Sequence, residues 1–192
     1  MNHKILKIFL QVAVLVAIFA GALYATRIAQ ESEAVRVVVA RYGYVGIFVI
    51  SVISGFNLAV PVPAIAFLPL FLESGLNFWA AIFFIGAGMT LADTIAYFLG
   101  KVGRQVISYS TGDGVLLRLE KMRERHRFGP MAVLFLFAAL VPFPNEILVV
   151  PLGFLKYRIV YIIPTVFAGN LVFNTLYAAG VVELFQVTAG IL

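Results

Sequence analysis

Cysteine is absent from the 192 residues of the chain, and this absence excludes disulfides, iron–sulfur clusters and thiolate zinc sites. Histidine is nearly absent, since the chain contains only His3 and His126. Neither histidine has neighbours at a metal-ligand spacing, and no nucleophile is placed beside a base as covalent catalysis requires. Glycine-rich phosphate loops are missing as well. We therefore expect a protein that is not an enzyme and that uses no metal or cofactor.

Charge is also scarce in this chain. Charged residues make up only 12% of it, hydrophobic residues make up 62%, and the mean hydropathy is +1.04. A soluble domain ordinarily contains about 25% charged residues, so this composition predicts an all-α integral membrane protein with membrane lipids as partners. The net charge of +5 does not indicate a nucleic-acid partner, because most of the excess lies in one loop between apolar runs and suits an anionic leaflet.

The first apolar run, residues 8–26, is nearly long enough to cross a bilayer and follows Lys4 and Lys7. It predicts a transmembrane anchor; the alternative is a cleaved signal peptide with Ala20-Gly21-Ala22 at its cleavage site. Residues 27–42 carry apolar side chains at helical spacing, and we expect this segment to lie flat on the membrane surface. Residues 1–41 thus form an N-terminal unit, and residues 42–192 form the membrane domain.

Prolines interrupt the second apolar run. Residues 42–72 contain no charge, but Pro61 and Pro63 lie among them. Because proline removes a backbone donor and clashes with the preceding turn, we predict two half-helices, residues 45–55 and 64–72, joined by a re-entrant turn. One long kinked helix is the alternative.

Residues 76–100 predict a spanning helix. Gly86 and Gly88 would let another helix approach it closely. One side of this helix is polar and should point into the bundle: Thr90, Asp93, Thr94 and Tyr97. Asp93 is therefore a candidate for transport or proton coupling. The alternative is that Asp93 only forms a structural ion pair with Arg104.

A basic helix is predicted for residues 114–126, lying on an anionic membrane surface. Its candidate lipid contacts are Arg118, Lys121, Arg123, Arg125 and Arg127. It also carries an apolar stripe that we expect to be too narrow for burial in a protein core: Val115, Leu116, Leu119 and Met122. The alternative is a solvated hairpin whose charges only set the topology.

The most unusual segment is residues 140–151, where Pro142, Pro144 and Glu146 interrupt an apolar run. We predict a second re-entrant turn at these prolines. A carboxylate near the middle of a bilayer costs about 2.5–3.5 kcal/mol, so Glu146 is the leading candidate for a transport or proton-coupling residue. The alternative is a turn at the membrane surface, with Glu146 facing headgroups or water.

A last spanning helix is predicted over residues 159–180, with a kink at Pro164. Gly169 would allow close packing of this helix, and Asn170 and Asn174 can hydrogen-bond to neighbouring helices. Residues 181–192 are either a continuation of the same helix or a separate interfacial piece.

The chain contains an internal repeat. Pro63 and Gly88 are 25 positions apart, as are Pro144 and Gly169. Such proline-interrupted segments in two halves are typical of inverted repeats that meet at a transport site. We assign repeat 1 to about residues 42–100, a basic linker to residues 101–129 and repeat 2 to residues 130–192.

The distribution of positive charge along the chain predicts which parts of it face the cytoplasm. A cytoplasmic N-terminus puts 11 of the 14 Lys and Arg residues on the cytoplasmic side, as the positive-inside rule asks. The two re-entrant hairpins then enter from opposite faces of the membrane and meet near its middle.

These motifs resemble the DedA-like, or VTT-domain, membrane proteins, also called SNARE-associated Golgi proteins. In the first half the resemblance lies in Pro61-Val62-Pro63 and in Gly86-Ala87-Gly88. It lies also in residues 92–104, which contain Asp93, Tyr97 and Gly103-Arg104. In the second half it lies in Phe128-Gly129-Pro130 and Pro142-Phe143-Pro144. The resemblance implies two opposed re-entrant hairpins with spanning helices. We expect the chain to lie in the plasma membrane of a prokaryote. It also implies movement of lipids between leaflets, including polyprenyl-phosphate carriers, and a role in membrane-potential homeostasis.

Two positions depart from the family pattern. Ala64 and Ile65 follow the first proline turn where many members carry Glu, and Ile147 stands where many carry Arg. The acidic pair implied for this chain is therefore Asp93 and Glu146, without the hairpin arginine.

Three functions are compatible with these features. The first is translocation of a lipid or its headgroup through a cavity between the hairpins, which requires an opening toward lipid. The second is proton-coupled transport of a small solute or ion, which requires a closed aqueous pocket. The third is a membrane-shaping or assembly protein without transport, which predicts a surface-facing Glu146.

Overall fold

The computed structural model describes residues 24, 33–56, 64–106, 114–126 and 128–191. Helices are the only regular elements in these ranges, and no strand occurs there. There are seven: α1 (Glu33–Gly55), α2 (Leu68–Glu73, continuing a 3-10 turn over Ala64–Phe67), α3 (Phe78–Val106), α4 (Gly114–Arg125), α5 (Gly129–Leu140), α6 (Glu146–Phe154) and α7 (Ile159–Ile191). The predicted all-α class therefore holds for the described residues.

The two long helices, α3 and α7, organise the fold. Phe78–Gly103 of α3 and Ile159–Gly180 of α7 are long and apolar enough to cross a membrane. The helices are antiparallel, because the Tyr97 hydroxyl near the end of α3 donates to the carbonyl of Tyr157 just before α7, at 2.6 Å. Helix α7 continues to Ile191, so the segment after residue 180 begins as an extension of the same helix.

The predicted interruption after residue 55 is present. Helix α1 ends at Gly55, and the chain becomes helical again at Ala64. The predicted turn prolines, Pro61 and Pro63, lie outside the described residues. One expectation was wrong: residues 33–42 do not form a separate surface segment, because α1 runs without a break from Glu33 into the predicted half-helix. Most of the predicted N-terminal anchor also lies outside the described residues.

A second interruption separates α5 from α6. Helix α5 ends at Leu140, Val141 is extended with φ −103° and ψ 119°, and α6 begins at Glu146. Pro142 and Pro144 lie in this break. Since neither proline can donate a backbone hydrogen bond, the chain stops being helical where the sequence predicted it would.

Four other helices pack on the two long ones in a crossed manner. Helix α1 packs on α3 and α5 packs on α7, whereas α2 packs on α7 and α6 packs on α3. The apolar core has two parts, one around Ile47, Leu68 and Ile85 and one around Leu134, Leu152 and Val166.

Glycines lie at the closest helix contacts. A Cβ atom on Gly88 would lie 2.6 Å from the carbonyl oxygen of Phe48 in α1, and one on Gly169 would lie 2.5 Å from the Cβ of Ala138 in α5. A Cβ atom on Gly86 would come within 2.9 Å of Leu171 in α7. The three glycines selected from the sequence therefore allow three different helix pairs to approach.

The basic helix α4 differs from the prediction. Leu116 and Leu119 are buried, and Leu119 packs beside Leu134 and Leu152 in the second part of the core. The expectation that the apolar stripe is too narrow for a protein core was therefore wrong, since α5 and α6 supply the matching surface. Arg118 and Lys121 are exposed. The side chains of Arg123 and Arg125, and all of Arg127, lie outside the described part.

A broad apolar surface remains exposed around the helices. Its residues include Val45, Val49, Ile53, Phe83, Phe98, Leu99, Leu136, Leu140, Val160 and Leu176. Large exposed apolar patches generally mark protein–protein or membrane interaction sites. This surface and the two long helices are compatible with membrane association.

Candidate functional site

A cluster of buried polar residues lies where α3, α7 and the start of α6 meet. It consists of Thr90, Asp93, Asn145, Glu146, Asn170 and Asn174, all buried. Helical spacing puts Thr90 and Asp93 on one side of α3, and Asn170 and Asn174 on one side of α7. Asn145 and Glu146 follow the proline break, which ends at this point. The sequence thus brings polar residues from three segments to one place in an otherwise apolar core.

The centre of this cluster is the carboxylate of Asp93. Its Oδ2 atom accepts a hydrogen bond from Asn145 Nδ2 at 3.1 Å and another from Asn170 Nδ2 at 3.1 Å. Asn145 Nδ2 also donates to Asn170 Oδ1, at 3.0 Å. The three side chains therefore form a closed triangle that joins α3, α7 and the start of α6.

Two further residues hold the triangle in position. Asn170 Nδ2 lies 3.2 Å from Thr90 Oγ1, and that hydroxyl donates to the carbonyl of Gly86 at 2.7 Å. Asn174 donates to the Asn170 carbonyl, one turn earlier, at 2.7 Å. Asn174 Nδ2 also lies 3.3 Å from the sulfur of Met89. Because a buried polar group without a partner costs about 1–3 kcal/mol, these bonds fix which side chains face one another.

Glu146 belongs to the same site. Only 6% of the residue is exposed, so it does not lie on a surface turn facing headgroups or water. It stands in the first turn of α6, where the helix dipole favours negative charge. Glu146 directly follows Asn145, whose amide donates to Asp93, so both buried acids lie in one cluster. The two acids selected from the sequence, 53 positions apart, are therefore brought together.

The ion pair considered for Asp93 does not fit this arrangement. Arg104 is about three turns further along the same helix, and the partners of Asp93 are the amides of Asn145 and Asn170. Asp93 is therefore held by neutral donors, and its charge is not cancelled by a described cation within the cluster.

The chemistry available at the cluster is that of two neighbouring carboxyl groups surrounded by amides. Two nearby carboxylates repel each other when both are ionised, and this repulsion is relieved by uptake of a proton or by an approaching cation. Within the described residues, no group of three or more His, Cys, Asp or Glu side chains could hold a metal ion. These residues could therefore exchange a proton or bind a polar or positively charged group.

Asn145 is the residue that sequence analysis did not single out. The sequence feature that could have indicated it is its position, directly after a turn proline and directly before Glu146. Such a position made it a neighbour of the candidate acid, but only the fold shows that its amide connects Asp93 to Asn170. Arg118 and Lys121 of α4 are exposed and are not part of this cluster. Pro142 and Pro144 lie in the break that leads to it.

Comparisons of the chain with protein-family models, with curated proteins and with solved structures found no match. The resemblance to DedA-like proteins is therefore an inference from motifs, and the buried cluster is interpreted from its own geometry.

Proposed function

We propose that this chain is an integral membrane transport protein of the DedA-like type that moves a lipid or its headgroup between leaflets past the buried polar cluster. The observation that carries this proposal is the depth of the cluster. Asp93 lies within about 4 Å of the middle of Phe78–Gly103, and Asn170 lies within about 1 Å of the middle of Ile159–Gly180. If both helices span, the hydrogen-bonded centre of the cluster lies near the middle of the bilayer.

The depth of the cluster matters because ionisable groups are costly near the middle of a bilayer. A carboxyl group at the centre of a spanning helix costs about 2.5–3.5 kcal/mol on insertion scales, and such groups generally mark transport pathways or proton relays. Asp93 and Glu146 are both buried, and at least three amides or hydroxyls accompany them. Helix packing alone could be achieved with apolar residues, so the polar set supports a function in passage through the membrane.

Re-entrant hairpins are the second part of the proposal. Helices α5 and α6 contain 12 and 9 residues, or about 18 and 14 Å, whereas a bilayer core is about 30 Å thick. We propose that each covers only part of the membrane and that the break between them lies at membrane depth. Irregular backbone is tolerated there when it is buried in protein or lines a wet cavity, and the polar cluster supplies such surroundings.

The inverted repeat is the third part. Pro63 and Pro144, Gly75 and Lys156, and Gly88 and Gly169 are each separated by 81 positions. The packing supports the same correspondence, because α1 lies on α3 as α5 lies on α7, and α2 lies on α7 as α6 lies on α3. Each half therefore contributes a short helix that packs on the long helix of the other half.

Orientation follows from charge. Lys101, Lys156 and Arg158 lie together at one end of the bundle, and we propose that this end faces the cytoplasm of a prokaryotic cell, as does the N-terminus. Cysteines introduced at Arg118 and Glu73 should then react with impermeant reagents from opposite sides of the plasma membrane.

Exposed apolar side chains beside the cluster favour headgroup translocation over solute transport. Phe143 and Ile147 are 64% and 42% exposed, although they flank the buried Asn145 and Glu146. A lipid tail that remains outside could thus lie against these apolar side chains while its headgroup passes the cluster. Proton-coupled transport of a small solute or ion is the second candidate, and the burial of two carboxyl groups in one cluster favours it. A purely membrane-shaping role does not explain why Glu146 is buried.

Reconstitution in liposomes tests the proposal. Vesicles containing the protein are assayed in parallel with fluorescent phospholipid, polyprenyl phosphate and a pH-sensitive dye. We expect lipid transfer above that of empty vesicles, and we expect Glu146→Gln to lower it about tenfold or more. Glu146→Asp should retain part of the activity.

The matched control is Glu73→Gln, which neutralises an exposed acid at the end of α2. It should leave transport within about twofold of the unchanged protein. Dye acidification without lipid transfer would favour the solute alternative, and full activity of Glu146→Gln would reject a role for this carboxyl group.

A further inference from the structure

Helix α6 is fastened to α3 at three points along its length. At its start, Asn145 Nδ2 donates to the Asp93 carboxylate at 3.1 Å. After its end, the Tyr97 hydroxyl donates to the carbonyl of Tyr157 at 2.6 Å. Between these two bonds the helices touch through their backbones, because a Cβ atom on Gly153 would collide with the Tyr97 carbonyl. A hydrogen bond at each end and a backbone contact between them thus hold α6 in one position along α3.

The backbone contact is reciprocal. A Cβ atom on Gly100 of α3 would collide with the Val150 carbonyl of α6. Since residues four positions apart lie on the same side of a helix, sliding by one turn would put Ala96 in the place of Gly100, or Val149 in the place of Gly153. Each shift brings a Cβ atom against a carbonyl of the other helix. The two helices therefore cannot slide past each other without first separating.

The first half of the chain lacks these fastenings. It has an apolar residue at each matching position, 81 residues away: Ala64 for Asn145, Leu72 for Gly153 and Ala178 for Tyr97. Within the described residues, no side chain between positions 64 and 76 forms a hydrogen bond or an ion pair with α7. The hydroxyl of Ser74 donates to the Leu70 carbonyl of the same helix, at 2.8 Å. In the described part of the structure, α2 is therefore held on α7 by apolar contacts.

Apolar contacts leave α2 a freedom that α6 does not have. Ile65, Leu68 and Phe71 are buried with Ala178 in the first part of the core. Burial of apolar surface has no preferred direction, so most of it is kept when one helix slides a few ångströms along another, as in shear movements. The bonds and the glycine contact of α6 would be broken by the same shift. The two short helices thus differ in mobility although the repeat gives them equivalent places.

Helix α2 also lies next to the polar cluster. Met89 packs against the part of the core that contains Ile65, and its sulfur lies 3.3 Å from Asn174 Nδ2. Asn174 has the position in α7 that Asp93 has in α3, 81 residues earlier. Its amide does not bond the short helix but donates to the Asn170 carbonyl at 2.7 Å. Movement of α2 would therefore uncover this side of the cluster without breaking a described hydrogen bond.

We infer that α2, with the 3-10 turn before it, is the moving gate of this protein: it slides along α7 and opens one side of the polar cluster, while α6 and α3 move as one body. This inference rests on the proposed function and names the element that controls access to that site. Proteins with inverted repeats transport by moving one part against the other around a fixed site. Here the fastenings of α6 determine which short helix moves.

Distances between pairs of spin labels test the gate, because the chain has no cysteine of its own. The first pair, Glu73→Cys with Val160→Cys, connects the end of α2 to the start of α7. The matched pair, Lys156→Cys with Trp79→Cys, connects the turn after α6 to the start of α3. All four side chains are exposed, so the labels do not disturb the core. Double electron–electron resonance is measured on the full chain in nanodiscs of phosphatidylethanolamine and phosphatidylglycerol.

We expect a single narrow distance for the pair on α6 and α3. The pair on α2 and α7 should show either a second distance that differs by about 5 Å, one helical turn, or a distribution about twofold wider. Equal widths of the two distributions would overturn the inference, and so would a wider distribution for the pair on α6 and α3.

Removing the fastenings gives a second test. Asn145→Ala with Tyr97→Phe deletes the side-chain bonds at both ends of α6, so the distance between α6 and α3 should become about as widely distributed as that between α2 and α7. Tyr97→Phe alone keeps the buried ring and should produce part of the widening. The control is Thr94→Val, because the Thr94 hydroxyl donates to the Thr90 carbonyl of its own helix at 2.7 Å. An unchanged width in the double variant, or equal widening with Thr94→Val, would contradict the inference.

Lipid transfer in liposomes, measured on the same labelled variants, separates this inference from the proposed function. A mobile α2 in a chain that transfers no lipid would reject the proposed function and leave the moving helix in place. Lipid transfer by a chain whose α2 stays in one position would reject the gate alone.

Discussion

The two halves of the molecule contain similar elements but very different polar residues. After the first break, the chain resumes with Ala64 and Ile65, which are buried among apolar neighbours. At the positions 81 residues later, after the second break, stand Asn145 and Glu146, which are buried in the polar cluster. The scaffold therefore does not require polar residues at these positions, because one half is built without them. The second half carries them for a different reason, and we attribute that reason to transport.

The largest effect is expected when the second half is given the residues of the first. Asn145→Ala combined with Glu146→Ile should lower lipid transfer about a hundredfold, which corresponds to about 2.7 kcal/mol in the barrier. Asp93 would keep only the hydrogen bond from Asn170, so unfolding free energy should fall by about 1–3 kcal/mol. Transfer in liposomes and thermal unfolding in detergent measure the two effects. Unchanged transfer by a folded double variant would remove the distinction between the halves.

The reverse exchange gives the first half the polar residues of the second. Ala64→Asn with Ile65→Glu puts polar groups beside Leu68 and Ile47, where the described neighbours are apolar. Burying such groups without partners costs about 2 kcal/mol or more, so this variant should be less stable and should gain no activity. A variant as stable as the unchanged protein would show that the first half contains polar partners of its own.

The next largest effect is a loss of stability expected at the packing glycine that each half contains. Gly88→Ala and Gly169→Ala should each destabilise the protein by about 1–3 kcal/mol, because the added methyl would lie 2.6 Å from Phe48 O or 2.5 Å from the Cβ of Ala138. Gly180→Ala is the matched control, since a Cβ atom there meets nothing within 4 Å. It should be neutral or stabilising by about 0.5–1 kcal/mol. Thermal unfolding in detergent would show whether the two packing glycines differ from this control.

The smallest effect is expected at a proline that lies outside the breaks. Pro164 is exposed inside α7, so Pro164→Ala restores a possible backbone hydrogen bond and should leave transport within about twofold. Pro63→Ala and Pro144→Ala should each reduce transport more, because alanine does not fix the backbone of a turn. Equal tolerance of all three substitutions would contradict the assignment of Pro63 and Pro144 to corresponding turns.

Local patterns were sufficient to predict most helices. The apolar runs at residues 76–100 and 159–180 correspond to α3 and α7, and Pro142 and Pro144 correspond to the break before α6. These signals are local: an apolar run requires burial, and proline prevents continuation of a helix. The start of α1 was missed because the mixture of charged and apolar residues at 33–42 suits either a surface helix or the first turns of a longer helix.

The candidate site was only partly predictable. Asp93 and Glu146 stood out because each is a carboxyl group in an apolar segment, and Asn170 because amides often join helices. The role of Asn145 and the burial of Leu119 depend on which helices touch, and no local periodicity states that. Contacts across 52 positions, as between Asp93 and Asn145, follow from the packing of α6 on α3.

A double-substitution cycle on Asp93 and Glu146 tests most directly whether these two acids carry transport; it is measured as lipid transfer in liposomes at matched protein abundance. We predict that Asp93→Asn and Glu146→Gln each lower transfer about tenfold or more. We also predict that the double variant is hardly worse than the more damaged single one, because residues that act as a unit are not additive. Two losses that simply multiply would indicate independent structural roles. Full activity of all three variants would contradict the claim that these buried acids carry transport.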